Sequence, residues 1–486
     1  MSGDLILVTG ANGYIAGRLI PRLLARGCRV RALARRPERL EGRLWRKDVE
    51  VMRADVHQPD GLAAALAGVH TAYYLVHSMA SGRGYTRVEL EAARLFAAEA
   101  ERAGVRHIIY LGGLADPNSK NLAPHMRSRI ETGETLRAGR VPVTEFRAGV
   151  IVGPGSISFE MIRFLTECFP IMPGPNWLRN RAQPVAAVNV IDYLLAALDH
   201  PEERGRIHEM GGPETMCYAD TMLGYASVRG LKRFLFTLPG IPIWLMARFV
   251  DWLTPVPYPI ATPLVGGLQS DSVVMNADAH MSYPEVRLVS YRQAVSDSLQ
   301  ALRPERLERV WEGMDLDCIR MKHEGFFIDY RRLQVDAPDE VVYRVFSSLG
   351  GRSGWLYANW LWRLRGWLDR LLTSPALHGR RPPLGAVDAA DSPAASEPRL
   401  LHAGDRVDYY RVDEVEPNHM LRLHSLLHAP GEGWMEWRIE GSVLSQTAFF
   451  APHGLPGFAY WMMLSPLHRI VFRGLIGAIK KRSEGR

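Results

Sequence analysis

The sequence predicts an α/β architecture, a doubly wound parallel sheet, followed by a smaller α+β domain. Three observations predict it. Apolar strand-like runs alternate with helical runs through the first 150 residues, the pattern of a parallel sheet covered on both faces. A glycine-bearing turn, Thr9-Gly10-Ala11-Asn12-Gly13-Tyr14-Ile15-Ala16, lies directly between the first strand and the first helix. After Pro304 the pattern changes to strands separated by turn residues, and a long helical run follows them.

The strands of the first part read LILVTG (5–10), RVRALAR (29–35), VEVMRADV (49–56), TAYYLV (71–76), HIIYLGG (107–113) and VTEFRAGVIVG (143–153). Helical runs at Tyr14–Arg26, Pro59–Ala67, Tyr85–Ala103 and Arg127–Ala138 lie between them. Residues 155–305 are less regular and proline-rich, with a helix at Ile191–Leu198, as expected of a substrate-binding portion. Residues 306–320 read as a linker and 321–486 as the second domain. That domain begins with a strand (325–335), a helix (Asp339–Leu349) and a Trp-rich stretch (Trp355–Trp367). A flexible insertion rich in Pro, Ala, Ser and Asp follows at about 374–400. Four strands between 405 and 452 and a helix over Gly457–Lys481 complete it.

Of the 486 residues, 47% are hydrophobic and 23% charged, the profile of a folded chain of two or three domains. The net charge of +7 has two readings. One is a mildly basic surface. The other is attraction to a phosphorylated cofactor, an acidic substrate or a lipid surface. There is no basic arm and no zinc-finger spacing, which argues against nucleic acid. Cys28, Cys168, Cys217 and Cys318 are too scattered for a metal pair and read as thiols in a reducing, cytoplasmic compartment. No metal site, nucleophile elbow or P-loop is read. Residues 4–10 already form a strand, so no signal peptide is expected. No run reaches ~18 uninterrupted apolar residues, so no spanning helix is expected. Phe234–Leu253 comes nearest, broken by Pro239, Pro242, Arg248 and Asp251; it reads as a packed helix, a pocket wall or a membrane-surface segment.

In the turn, Gly10 allows the tight bend and Gly13 lets the backbone approach a pyrophosphate resting on the helix N-terminus. Thr9, Asn12, Tyr14 and Ile15 complete this candidate site. Ala16 takes the third small position. The second strand ends in Ala34-Arg35-Arg36, with no acid before Glu38 to hold ribose hydroxyls. Two guanidinium groups suit a 2′-phosphate, so NADP(H) is preferred over NAD(H).

This turn resembles the TGxxGxxG turn of short-chain dehydrogenase/reductases, and Phe146–Gly155 resembles the sixth-strand signature of their extended members. The resemblance covers about residues 4–300 and implies a Rossmann fold. It further implies adenine contacts at Asp55 and Val56, and ribose and nicotinamide contacts at Leu75, Val76 and His77. Typical members use a Tyr-x-x-x-Lys pair and a Ser or Thr at the end of the fifth strand. No Tyr here has Lys four residues on. His125 and Arg129 stand at the positions of that Tyr and Lys, and the strand ends in Gly112-Gly113. His125 is therefore a candidate substitute acid, with Arg129 holding the ribose or an anionic substrate. Reduction of a conjugated bond that needs no strong acid, and cofactor binding without turnover as in NmrA-type regulators, remain the alternatives. Residues 254–268 resemble atypical members related to the accessory Rossmann subunit of respiratory complex I, with Gly266 where those carry Glu; this hints at lipid-like, quinone-like or isoprenoid-like substrates.

The second domain resembles the SRPBCC superfamily, the START-like helix-grip fold, at Val335–Phe346, Ser445–Phe450 and Pro466-Leu467-His468. The resemblance implies a curled antiparallel sheet around the last helix and an apolar cavity between them. Trp355, Trp360, Trp362, Trp367, Trp434, Trp437 and Trp461 supply apolar area for a core or a pocket. The last helix carries an apolar face and a basic end, fitting either burial or peripheral contact with an anionic membrane. The function expected is an NADP(H)-dependent oxidoreductase acting on a hydrophobic small molecule; the alternative is a non-catalytic NADP(H)-binding sensor, regulator or assembly factor.

Overall fold

The computed structural model describes residues 3–59, 61–77, 85–120, 122–275, 278–312, 314, 316–350, 354–362 and 400–485. They divide into two compact units, Met1–Met314 and Asp315–Arg486.

The first unit opens with β1 (Leu5–Val8), α1 (Tyr14–Ala25), β2 (Arg29–Ala34), β3 (Glu50–Arg53), α2 (Leu62–Leu66) and β4 (Val69–Tyr74). It continues with α3 (Tyr85–Arg102), β5 (His107–Gly113), α4 (Pro124–Arg137), β6 (Val143–Ala148), β7 (Ile151–Val152) and α5 (Ile157–Cys168). Then come β8 (Ile171–Pro175), β9 (Arg181–Ala182), β10 (Val185–Ala186), α6 (Ala187–Ala196), β11 (Ile207–Met210), β12 (Met216–Cys217) and α7 (Tyr218–Arg229). The last elements are β13 (Phe234–Leu238), α8 (Ile243–Leu253), α9 (Tyr258–Gly267), α10 (Ala279–Ser282) and α11 (Tyr291–Gln300).

Seven strands form one parallel sheet in the order β11-β6-β5-β4-β1-β2-β3. Strand order reverses between β1 and β4, and such switch points open a crevice at the carboxyl ends of the strands. Successive residues of each strand feed opposite faces. Val8, Tyr73 and Ile109 join the core on one side; Leu7, Tyr74 and Ile108 join the core on the other. This explains the continuous apolar runs, because both faces are covered. Burying each such side chain contributes roughly 1.5–3 kcal/mol.

Three readings need correction. The run 143–153 is two strands, because the chain bends after Ala148 and β7 pairs with β10 instead. A Cβ on Gly149 would lie 2.6 Å from Ser272 Oγ, so glycine is what fits at that bend. The run 234–253 is a strand and then a helix: Pro239, Gly240 (φ +77°) and Pro242 end β13 and start α8. Residues 306–312 are part of the first unit, with Trp311 fully buried.

The second unit contains β14 (Cys318–His323), β15 (Phe326–Gln334), α12 (Asp339–Phe346), β16 (Arg406–Val407), β17 (Tyr410–Glu416), β18 (Met420–Ser425), β19 (Gly431–Glu440), β20 (Val443–Pro452) and α13 (Gly454–Ser483). Its seven strands pair antiparallel in the order β14-β15-β20-β19-β18-β17-β16. β14 is absent from the sequence reading. It joins β15 through Glu324 (φ 47°) and Gly325 (φ 85°), a two-residue turn of the left-handed kind that matches strand twist.

Helix α13 packs Phe458, Val471, Phe472, Leu475, Ile476 and Ile479 into the unit. Gln446 ties it to the sheet, accepting from Trp437 Nε1 at 3.0 Å and donating to the Phe472 carbonyl at 3.1 Å. By length and a mean hydropathy of 1.2, α13 is also long and apolar enough to cross a membrane, although no uninterrupted apolar run predicts it. Its charges cluster at Arg469, Arg473 and residues 480–482. Trp367 and the insertion expected at 374–400, apart from Leu400, lie outside the described residues.

Candidate functional site

The turn after β1 takes the shape that its glycines permit. Gly10 has φ +65°, and a Cβ there would lie 3.0 Å from the Leu75 carbonyl oxygen. Gly13 N–H donates to the Gly10 carbonyl at 2.7 Å. Thr9 laces β1 to β4: its hydroxyl donates to the Tyr73 carbonyl at 3.0 Å and accepts from Leu75 N–H at 2.9 Å. Turn, helix start and strand end are therefore tied together, with two glycines at the place where a pyrophosphate would approach the helix N-terminus. Replacing Gly10 by alanine adds strain at positive φ and crowds Leu75; about a tenfold or larger loss of NADPH affinity is expected in a fluorescence titration.

The sequence reading missed a buttress behind this turn. Buried Arg43 donates to the Asn12 carbonyl at 3.2 Å and forms an ion pair with Glu308. Arg18 reaches the same carboxylate at 3.5 Å and donates to the Pro154 carbonyl at 2.6 Å, its guanidinium 3.9 Å from the Tyr14 ring centroid. The Tyr14 side chain thus packs beside the turn. Ile15 is partly buried and packs on the core.

Arg35 and Arg36 are exposed just past the end of β2. Glu38, the nearest acid in sequence, is held by Arg53 at 2.9 Å. Past the end of β3, burial would raise the Asp55 carboxyl, but hydrogen bonds from the His57 ring and backbone outweigh it and hold it below the usual carboxylate range. Val56 is buried there.

The proposed catalytic positions meet near the ends of β4 and β5. His125 lies in the first turn of α4, which starts at Pro124 and not at Arg127. Its ring packs on α9: a Cβ on Gly267 would lie 2.7 Å from His125 Cε1. Burial lowers its pKa to about 4, helped by the neighbouring His77 and Arg129, so the ring is neutral near pH 7. Its Nδ1 has no hydrogen-bond partner. Arg129 donates to the Val76 carbonyl at 3.2 Å and to the Leu111 carbonyl, which commits its guanidinium to the strand ends. A Cβ on Gly113 would lie 2.7 Å from Met126 Cε, so Met126 fills the space beside it. Glu89, which the sequence reading passed over, is buried in α3; it accepts from Ser128 Oγ and lies 2.9 Å from His77 Nδ1.

Depressed histidines have a measurable consequence. Burial also lowers His107, to about 3. Below the ordinary histidine value of 6.5 the unfolded chain binds protons that folded His107 and His125 refuse. Stability present above that pH is then lost as pH falls, by up to ~1.4 kcal/mol per pH unit for each histidine. Thermal melts should therefore show Tm falling from about pH 7 to about pH 5, and His107→Gln should flatten that slope.

A cavity of about 450 Å³ adjoins His125 and Met126 at the carboxyl ends of β5 and β6. Met161, Met172, Trp177, Met246 and Phe249 are among its walls. Its polar groups are few, and most are spent: Tyr218, Thr221, Ser270 and Ser272 donate to backbone carbonyls. A smaller cavity of about 120 Å³ lies within the second unit, between Trp434, Phe450, Trp461 and His468. Among the described residues no cluster of three or more His, Cys, Asp or Glu could hold a metal ion.

A parallel sheet, a glycine cradle at its switch point and a cavity at the strand ends define a dinucleotide-binding α/β protein. Residues 10–141 match the family model described as NAD(P)H-binding. A (4-alkanoyl-5-oxo-2,5-dihydrofuran-3-yl)methyl phosphate reductase of Streptomyces griseus is 33% identical over 220 residues, 44% of this chain and 69% of that protein. The chain belongs to this family of NAD(P)H-dependent reductases. The ceramide reductase of Caulobacter vibrioides is 28% identical over 284 residues, 56% of this chain and 85% of that one. The triphenylmethane reductase of a Citrobacter species, solved with NADP(H), is 20% identical and overlays with a TM-score of 0.48, covering 60% of this chain and 99% of that one. Residues 323–475 match a family described as a protein of unknown function, DUF2867.

Proposed function

We propose that the chain is an NADPH-dependent reductase of a hydrophobic small molecule, without the usual Tyr–Lys relay. The apolar cavity beside His125 carries this reading, because it offers space lined by apolar side chains next to the strand ends where the fold binds nicotinamide. The residues fit the cofactor. Gly10 and Gly13 make the tight turn on which the pyrophosphate would rest, since a Cβ at either would lie 3.0 Å from a backbone carbonyl oxygen, and Arg35 and Arg36 are exposed for a 2′-phosphate. NADPH, when bound, supplies hydride. Thr9 and Arg129 fix the strand ends against which the ring would rest, and the apolar walls would hold the apolar part of a substrate.

The neutral state of His125 bears on the choice of acceptor. An imidazole that is neutral at pH 7 donates a hydrogen bond to a carbonyl oxygen without giving up charge. That favours an acceptor polarised by conjugation, which takes its proton from water, over one that needs a strong acid. The relatives named as ceramide and dihydrofuranylmethyl phosphate reductases, and a Zea mays relative named as an 8-vinyl-reductase, support a reductase of molecules that carry a large apolar part. The second unit, with its own small apolar cavity, would shelter or hand over such a molecule.

The test is to bind NADPH, follow its absorbance, and add enones, quinones and long-chain carbonyl compounds in turn. Oxidation by one class establishes the reductase. Tight binding without oxidation by any of them supports the sensor reading. His125→Phe should lower turnover by about tenfold to a hundredfold and leave NADPH affinity unchanged. The wild-type rate should show no inflection near pH 6.5 from this histidine; an inflection there that His125→Phe removes would refute its neutral role.

A further inference from the structure

The wall of the large cavity has a second apolar side. In β13, Leu235 lines the cavity while Phe234, Phe236 and Leu238 alternate outward, exposed by 64%, 37% and 42%. In α8, Met246, Phe249 and Val250 line the cavity. Its opposite face carries Trp244, Arg248 and Trp252 at successive intervals of four residues, the tryptophans 59% and 67% exposed. Ile171, on the paired strand β8, adds 61% exposure, and the neighbouring Pro173 both lines the cavity and reaches the surface. A strand and a helix apolar on both faces are what burial on both faces would require.

Charge distinguishes what covers the outer face. Across residues 231–270 the only carboxylate is Asp251, against Lys232, Arg233 and Arg248. Asp251 is engaged by Tyr258 N–H at 3.0 Å. Arg233 is turned to the Thr166 and Glu167 carbonyls, whereas Lys232 and Arg248 are exposed at the patch. In a two-fold contact a second copy would offer this same patch, in which Asp251 is the only carboxylate over residues 231–270 and is already engaged, so the cations would find no excess of acid to pair with. A bilayer with anionic headgroups pairs with them, and exposed tryptophans beside cations suit the bilayer–water boundary.

We propose that the outer face of β13 and α8 docks on an anionic lipid bilayer, and that the cavity behind it takes its substrate from that bilayer. The wall is one layer of secondary structure thick, so an apolar molecule entering beside Pro173 avoids full exposure to water. This rests on the reading of the cavity as a substrate site.

The test floats the full-length protein, loaded with NADPH, with phosphatidylcholine vesicles that contain or lack phosphatidylglycerol. Binding to the anionic vesicles is expected, and Trp244→Ser/Trp252→Ser should weaken it by about tenfold or more, as should Phe234→Ser/Phe236→Ser. NADPH affinity should not change in either variant, which excludes misfolding. Met462→Ser/Met463→Ser, on the exposed face of α13, should leave most of the binding intact. The proposal is overturned by absence of vesicle binding, by binding that the α8 and β13 variants do not alter, or by lipid-free self-association that Trp244→Ser/Trp252→Ser abolishes. Oxidation of NADPH by a detergent-dispersed substrate tests the reductase reading separately. Turnover without vesicle binding would defeat the docking and leave the reductase; vesicle binding without turnover on any substrate would leave the docking and defeat the reductase together with the substrate route that rests on it.

Discussion

Changing Arg35 and Arg36 to alanine together is expected to weaken NADPH binding about a hundredfold while NADH binding changes little. Two charge-assisted contacts of roughly 1.5 kcal/mol each amount to about 3 kcal/mol, and each 1.4 kcal/mol is tenfold. Both guanidiniums stand exposed past the end of β2, and the nearby Glu38 is held by Arg53. No acid in that stretch is therefore left to grip ribose hydroxyls, and NADH gains nothing specific from it. Parallel titrations of the double variant with NADPH and NADH decide the matter. Equal losses for the two cofactors would show that the arginines act only through general positive charge. Because that charge is exposed, the NADPH preference should also shrink as salt is raised.

Elements covered on both faces were legible in the sequence because their apolar character is local. β1 reads as an unbroken apolar run, β2, β4 and β5 are apolar over most of their length, and the glycine turn announced itself by lying between a strand and a helix. β14 was not legible: Cys318–His323 mixes charged and apolar residues, and only pairing with β15 makes it a strand. Glu89 could have been found. It lies at helical spacing with Ala92, Ala93 and Phe96, so an acid faces inward on an apolar stripe of α3, a position that demands a partner. Ser128 and His77 are those partners, and no sequence rule names them. The large cavity was legible only in part. The run from Phe234 suggested a pocket wall, but the enclosure needs α4, α5, α7, α8 and α9 brought together.

Glu308→Ala is expected to destabilise the first unit by about 2–4 kcal/mol and to weaken NADPH binding in the same variant. The Glu308 carboxylate is the partner of Arg43, whose side chain is only 4% exposed, and it also faces Arg18. Removing one member of a buried ion pair leaves the other charge desolvated, which is why the cost exceeds that of a surface pair. Arg43 also holds the Asn12 carbonyl, so the loss reaches the phosphate turn through one side chain. Glu308→Gln keeps hydrogen-bonding capacity and should cost less. Denaturant unfolding measures the first effect and NADPH titration the second. A variant that unfolds like the wild type would mean that Arg43 finds water or another acceptor, and the turn would then be held by Thr9 and Gly10 alone. A variant that loses both stability and cofactor affinity would place residues 306–312 within the machinery that shapes the cofactor site. The stretch that reads as a linker would then be the final brace of the first unit, anchored by the fully buried Trp311.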